Sequence, residues 1–186
     1  MRIVGGQFKG RPIVAPKGTG TRPTTDRTRE SVFNILMHRD DVELEGVRII
    51  DLFAGSGALG FEAMSRGGSF CLFVETAASA RGAIRDNQEA LQLNGATRIH
   101  RRSATSLGAK PGGLGEAFTI AFLDPPYGQD LVDPALSELV AGGWMAPGAL
   151  AVVEQGKAEA AADLAGIILV DERVFGDSIV RFYQFT

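Results

Sequence analysis

Residues 47–75 set the tightest limit on this chain. Val47–Phe53, Val-Arg-Ile-Ile-Asp-Leu-Phe, is an apolar run of strand length. A turn holding Gly55, Gly57 and Gly60 follows it, then a helical stretch over Leu59–Arg66, then a second apolar run at Ser69–Glu75. A strand, a helix and a strand in close succession make a parallel pair with a crossover, and such a pair is covered on both faces. The alternation continues. Ser79–Asn94 reads as a helix with Ala80, Ala83, Ile84 and Leu91 on one face, and Thr97–Arg101 as a short strand. After a glycine-rich loop at Lys110–Gly115, Phe118–Leu123 is a strongly apolar strand. Val132, Ala135, Leu136, Leu139 and Val140 recur at helical spacing over Leu131–Ala141. Ala149–Glu154 reads as a strand and the alanine-rich Lys157–Leu164 as a helix. Ile167–Val174 and Ile179–Phe185 are strands, and Gly176-Asp177-Ser178 between them cannot hold a crossover helix, so this pair is an antiparallel hairpin. The expected fold class is α/β, a doubly wound, mostly parallel sheet with an antiparallel last strand.

A chain of 186 residues can bury a full core without staples. No apolar run reaches the roughly 18 residues of a membrane span, and Met1–Gly6 has no signal-peptide core, so a cytoplasmic protein is expected. One cysteine and two histidines make a Cys/His zinc site unexpected, and no metal is assigned. Charge is distributed unevenly. Residues 1–39 carry eight Lys/Arg against two acidic residues, a net of +6, while residues 40–186 carry eleven against twenty, a net of −9. A basic arm on an acidic body suggests an anionic partner, nucleic acid among the choices; a solvated terminus is the plainer alternative. Met1–Val4 and Pro12–Ala15 read as a small hairpin, Pro16–Thr25 as loop with Thr24 or Thr25 as N-cap, and Asp26 onward as a helix with Val32, Phe33, Leu36 and Met37 on one face. The expected division is an appendage at 1–39 and the main domain at 40–186.

Gly55, Gly57 and Gly60 form G-x-G-x-x-G between strand and helix, and Glu75 ends the next strand twenty residues after Gly55. Gly55 suits a tight turn, Gly57 a ligand lying on bare backbone, and Gly60 close helix–strand packing, while Glu75 can accept from ribose hydroxyls. Dinucleotides and S-adenosylmethionine both use this geometry. Asp51 favours the second, because a carboxylate suits a ligand ammonium better than a pyrophosphate.

Phe118–Leu123 runs into Asp124-Pro125-Pro126-Tyr127. Two prolines stop the strand where ligands bind in such sheets. The motif offers a carboxylate, a carbonyl free of ladder duty and an aromatic ring. That set suits methylation of an exocyclic amine on a base: Asp124 and the Pro125 carbonyl accept its N–H bonds and free the lone pair, and Tyr127 stacks on the ring. An unperturbed carboxylate is a poor proton acceptor at neutral pH, so Asp124 is expected to act as a hydrogen-bond acceptor rather than an obligatory base.

On these residues the chain resembles the class I S-adenosylmethionine-dependent methyltransferases, and more narrowly the bacterial 16S ribosomal RNA guanine-N2 methyltransferase family. The resemblance also rests on Met1-Arg-Ile-Val-Gly-Gly, Lys9-Gly-Arg and the block Thr21-Arg-Pro-Thr-Thr-Asp-Arg-Thr-Arg-Glu-Ser-Val-Phe-Asn34. It implies a seven-stranded sheet, cofactor contacts at Asp51, Gly55, Gly57 and Glu75, and methyl transfer at Asp124, Pro125 and Tyr127. Where the family usually has Asp-Ala at the adenine, this chain has Ser103-Ala104. The charge of the arm makes Lys9, Arg11, Arg22 and Arg29 the expected substrate contacts. The implied partner is 16S ribosomal RNA, within an assembled or assembling small subunit, met by a monomer. The competing readings are a DNA adenine-N6 or cytosine-N4 methyltransferase, for which little chain is spare for target recognition, and a non-catalytic ribosome-assembly factor.

Overall fold

The computed structural model describes residues 1–18 and 24–186. Seven strands form one sheet: β1 (Arg48–Leu52), β2 (Phe70–Val74), β3 (Thr97–His100), β4 (Phe118–Leu123), β5 (Met145–Gly156), β6 (Ile167–Phe175) and β7 (Ser178–Phe185). Their spatial order is β3-β2-β1-β4-β5-β7-β6. The first five are parallel, and β7 lies antiparallel between β5 and β6. Among the described residues four α-helices accompany them: α1 (Asp26–Met37), α2 (Ala58–Ser65), α3 (Ala78–Ala90) and α4 (Val132–Ala141).

Both faces of the central strands are dry, because alternate residues of each enter different cores. Ile49, Cys71, Phe73, Ile120 and Phe122 pack under α1, α2 and α3. Ile50, Leu52, Leu72, Ala121 and Leu123 pack under α4 and around Trp144. Gly60 allows α2 to sit close on the sheet: a Cβ there would meet Cys71 Sγ at 2.7 Å and the Phe73 ring still closer.

The N-terminal residues form the expected hairpin, with Arg2 and Pro12 bridged antiparallel. Thr25 caps α1, its side chain accepting from the Thr28 N–H. The arm is fastened to the sheet domain by polar contacts. The Glu62 carboxylate accepts from the Val4 and Gly5 N–H groups at 3.0 and 2.9 Å. Asn87 on α3 accepts from the Val14 N–H at 2.8 Å and donates to the Val14 carbonyl at 3.0 Å. Ile3, Ile13, Val32, Phe33 and Leu36 share one core with Ile49, Phe61, Phe122 and Phe182.

One expected element is absent. Residues 157–166 run as turns and coil, not as a helix. Glu159 accepts from the Gly156 N–H at 2.6 Å and from the Gly128 N–H at 3.2 Å, and the Ala162 N–H donates to Tyr183 Oη at 2.9 Å. Helical propensity is high over Lys157–Leu164, but Ala162 alone is buried there, and a helix without an apolar stripe has nothing to hold it on a sheet. Among the described residues no helix is long and apolar enough to cross a membrane.

Candidate active site

A cleft of about 700 Å³ opens at the carboxyl ends of β1, β2 and β4. Parallel strands place their last residues there, beside the loops that lead to the helices. Asp51, Gly55, Glu75, Ser103, Ala104, Asp124, Pro125 and Tyr127 all line it. Eight sequence-assigned residues from four separate segments thus meet in one cavity.

Asp51 is buried, and its Oδ2 accepts from the Gly60 N–H at 3.0 Å. Burial pushes its carboxyl well above the usual range; the Gly60 N–H opposes this, and the charges of Asp124 and Glu75 add to it. Glu75 spans the cleft's loops. Its Oε2 accepts from the Gly55 N–H at 2.8 Å and its Oε1 from the Ala77 N–H at 2.9 Å. The glycines divide their work differently from the sequence expectation. Gly55 has φ of 57° and open space where a Cβ would stand, so it is the bare backbone facing the cavity. Gly57 has φ of 79°, and its Cβ would strike the Phe61 ring at 2.7 Å. Its requirement for glycine comes from the left-handed backbone and the core, and its own N–H donates to Ala54.

Asp124 follows the last residue of β4. The residue as a whole is half-buried, yet its carboxyl is enclosed enough that desolvation, with the charge of Glu154, pushes it up to about 7. The expectation of an ordinary carboxylate is corrected: Asp124 holds a proton more readily than a free carboxylate does. Thr24 Oγ1 lies 2.7 Å from Asp124 Oδ2 and 3.0 Å from Glu154 Oε2. The Tyr127 hydroxyl donates to Glu154 Oε1 at 2.9 Å, and its own acidity is lowered by burial and by Glu154. One ring carbon of Tyr127 lies near Gly156, and the residue is 38% exposed, so the outer ring surface can still be stacked upon.

Thr24 and Glu154 escaped the sequence reading. Leu123 pairs with Val153 in the parallel β4–β5 register, so Asp124, just past β4, lies beside Glu154, which β5 still carries. A carboxylate ending each of two neighbouring strands was the available signal. Among the described residues, no Lys or Arg forms an ion pair with Asp51, Glu75, Asp124 or Glu154. A cavity with uncompensated buried carboxylates fits a positively charged ligand, and S-adenosylmethionine carries a sulfonium and an ammonium.

The residues expected at the substrate separate into three cases. Lys9 and Arg11 are exposed on the hairpin, Arg11 also donating to the Ala90 carbonyl. Arg22 lies outside the described residues. Arg29 is a correction: its guanidinium is fully buried, 2.9 Å from Asp26, 3.5 Å from Glu62 and hydrogen-bonded to the Arg2 carbonyl. Counting charges treated it as solvated, whereas the fold uses it as an internal tie. Its Nε is near enough to Glu62 to share charge but too poorly aligned for a hydrogen bond.

The family model described as conserved hypothetical protein 95 matches residues 1–184. The chain belongs to the conserved hypothetical protein 95 family. Proteins of similar sequence include the Escherichia coli K12 protein named ribosomal RNA small subunit methyltransferase D. That protein is 34% identical over 185 residues, which cover 99% of this chain and 89% of the relative. The Haemophilus influenzae protein of the same name is 31% identical over 188 residues, covering 99% and 93%. Among solved structures, the yhhF protein of Escherichia coli superposes with a TM-score of 0.80 at 33% identity, covering 100% of this chain and 97% of that one. The conserved hypothetical protein 95 chain therefore has the class I methyltransferase fold, including the reversed last strand expected from sequence.

Proposed function

We propose that this protein transfers a methyl group from S-adenosylmethionine to the exocyclic N2 amine of a guanine in 16S ribosomal RNA. Relatives named ribosomal RNA small subunit methyltransferase D support the ribosomal RNA substrate. The observation that carries the reaction type is the shared cavity of Asp51, Gly55 and Glu75 with Asp124, Pro125 and Tyr127. In this reading Asp51 faces the ligand ammonium, Glu75 the ribose, and Ser103 with Ala104 the adenine. Gly57 supports the turn from behind. Bound S-adenosylmethionine supplies an electrophilic methyl group. Asp124 and the Pro125 carbonyl accept the two N–H bonds of the amine, Tyr127 stacks on the base, and the cleft holds the nitrogen in line. Residues 1–39 serve as the substrate-facing appendage and residues 40–186 as the methyl-transfer domain. A monomer acting in the cytoplasm on an assembling small subunit suits so small a basic arm.

Labelled methyl transfer to small subunits from cells lacking the gene, followed by nucleoside analysis, tests the proposal. Label in N2-methylguanosine of 16S RNA is the expected outcome. Label in an adenine or cytosine, or transfer to DNA alone, overturns it.

Replacing Glu75 with Ala should raise the cofactor dissociation constant about tenfold to a hundredfold, the worth of one charge-assisted hydrogen bond. Titration calorimetry on the folded variant measures this. Wild-type affinity would leave Glu75 as only the clasp between Gly55 and Ala77. For the arm, joint replacement of Lys9 and Arg11 with Ala should weaken RNA or particle binding and flatten its salt dependence, because fewer counterions are released. Cofactor affinity should barely move. Unchanged substrate affinity across the salt series would remove the arm from substrate binding.

A further inference from the structure

The Thr24 hydroxyl has one hydrogen and two carboxylate neighbours, at 2.7 Å and 3.0 Å. It can donate to one of them at a time. If both carboxylates are charged, one of them faces the hydroxyl oxygen with no hydrogen between, so the close pair makes ionisation of Asp124 beside Glu154 costly. Among the described residues, the titratable groups facing Asp124 are Glu154 on β5, Asp51 on β1 and Tyr127 in its own loop, and none of these is cationic. Glu154 is held from its other side by the Tyr127 hydroxyl.

We propose that Thr24 and Glu154 are positioning residues that set the ionisation of Asp124. The Thr24 hydrogen points to Asp124 while that group is charged and receiving the amine, and turns to Glu154 once Asp124 has taken the amine proton. This rests on the amine-methylation reading above. The bookkeeping is simple. After methyl transfer the cationic nitrogen loses an N–H bond and keeps its electron pair; the proton forms an O–H bond on Asp124 and leaves to water with the product. No proton moves onto Glu154. The negative charge of Glu154 makes Asp124 the stronger proton acceptor, and the Thr24 hydrogen bond counteracts that.

The two residues therefore act in opposite directions, which a merely structural role would not produce. Ionised Asp124 accepts the amine N–H more strongly than its neutral form and can also take the proton, so the single-turnover rate rises with pH through its midpoint. Glu154→Gln should move that midpoint down by about one pH unit, since a like charge is lost. Thr24→Val should move it up, and Thr24→Ser should restore it. Infrared titration of the protein alone gives a second readout: the carbonyl band of protonated Asp124, identified by its loss in Asp124→Asn, should follow the same midpoints. Midpoints unchanged in both variants, or displaced in the same direction, overturn the proposal. If the midpoints move as expected but the product is not N2-methylguanosine, the substrate reading fails while the three-residue unit stands.

Discussion

Asp124→Ala should lower the single-turnover methylation rate by about 10²–10³-fold, the effect of deleting one hydrogen bond made at the transition state. Cofactor affinity should persist, because Asp51, Gly55 and Glu75 keep their own partners. Asp124→Asn should lose less, since it retains one acceptor oxygen and the Pro125 carbonyl supplies the other. The Asn variant also loses the group that titrates near neutrality, so its rate should be flat with pH where the wild type climbs. Rapid-quench methylation at saturating cofactor across a pH series measures all three. Equal and complete loss in both variants, with cofactor bound, would mean that removing the proton is obligatory and that acceptance of a hydrogen bond is not enough.

Glu62→Ala should cost about 3–5 kcal/mol of stability. Glu62 is fully buried on α2 and faces Arg29, which is fully buried on α1. It also accepts from Arg66 Nε at 3.0 Å and from two backbone N–H groups of the arm. Removing it strands a buried guanidinium and unties the hairpin together. Urea unfolding should show a lower midpoint with little change in slope. Replacing Arg29 and Glu62 together by Met should be milder than their separate effects added, because no lone charge remains. A Glu62→Ala variant within about 1 kcal/mol of wild type would mean that water reaches Arg29 when its partner is gone.

The sheet was legible because Val47–Phe53 and Phe118–Leu123 are apolar runs between turn residues, and burial on both faces leaves strands no other appearance. The cleft was legible because its residues end those strands. What escaped depends on relations between distant segments. Glu154 follows an ordinary apolar run, and its meaning comes only from lying beside Asp124 in the β4–β5 register. Thr24 and Thr25 are equal candidates for the helix cap in sequence; Thr25 caps α1, and Thr24 turns to the carboxylates. Arg29 was counted with the solvated charges because its spacing on α1 gives no sign that Glu62 waits beneath. Lys157–Leu164 misled in the opposite sense, its local propensity overruled by Glu159 and Tyr183.

The place of β7 has a consequence for the order in which the chain is made. Synthesis delivers β5 and β6 before the strand that joins them. Until residues 178–185 emerge, β5 presents an open edge and β6 has no neighbour, although Ile168, Leu169, Val170 and Val174 make it one of the more apolar surfaces of the finished protein. Phe182, carried by β7, also belongs to the core shared by Ile3, Ile13 and Phe33, so these earlier-made residues wait for a later one. Folding of such a nascent chain is governed by long-range closure, which is slow and leaves strand edges open to other chains. During that interval the β5 edge and the bare β6 segment are where a chaperone would act to prevent aggregation.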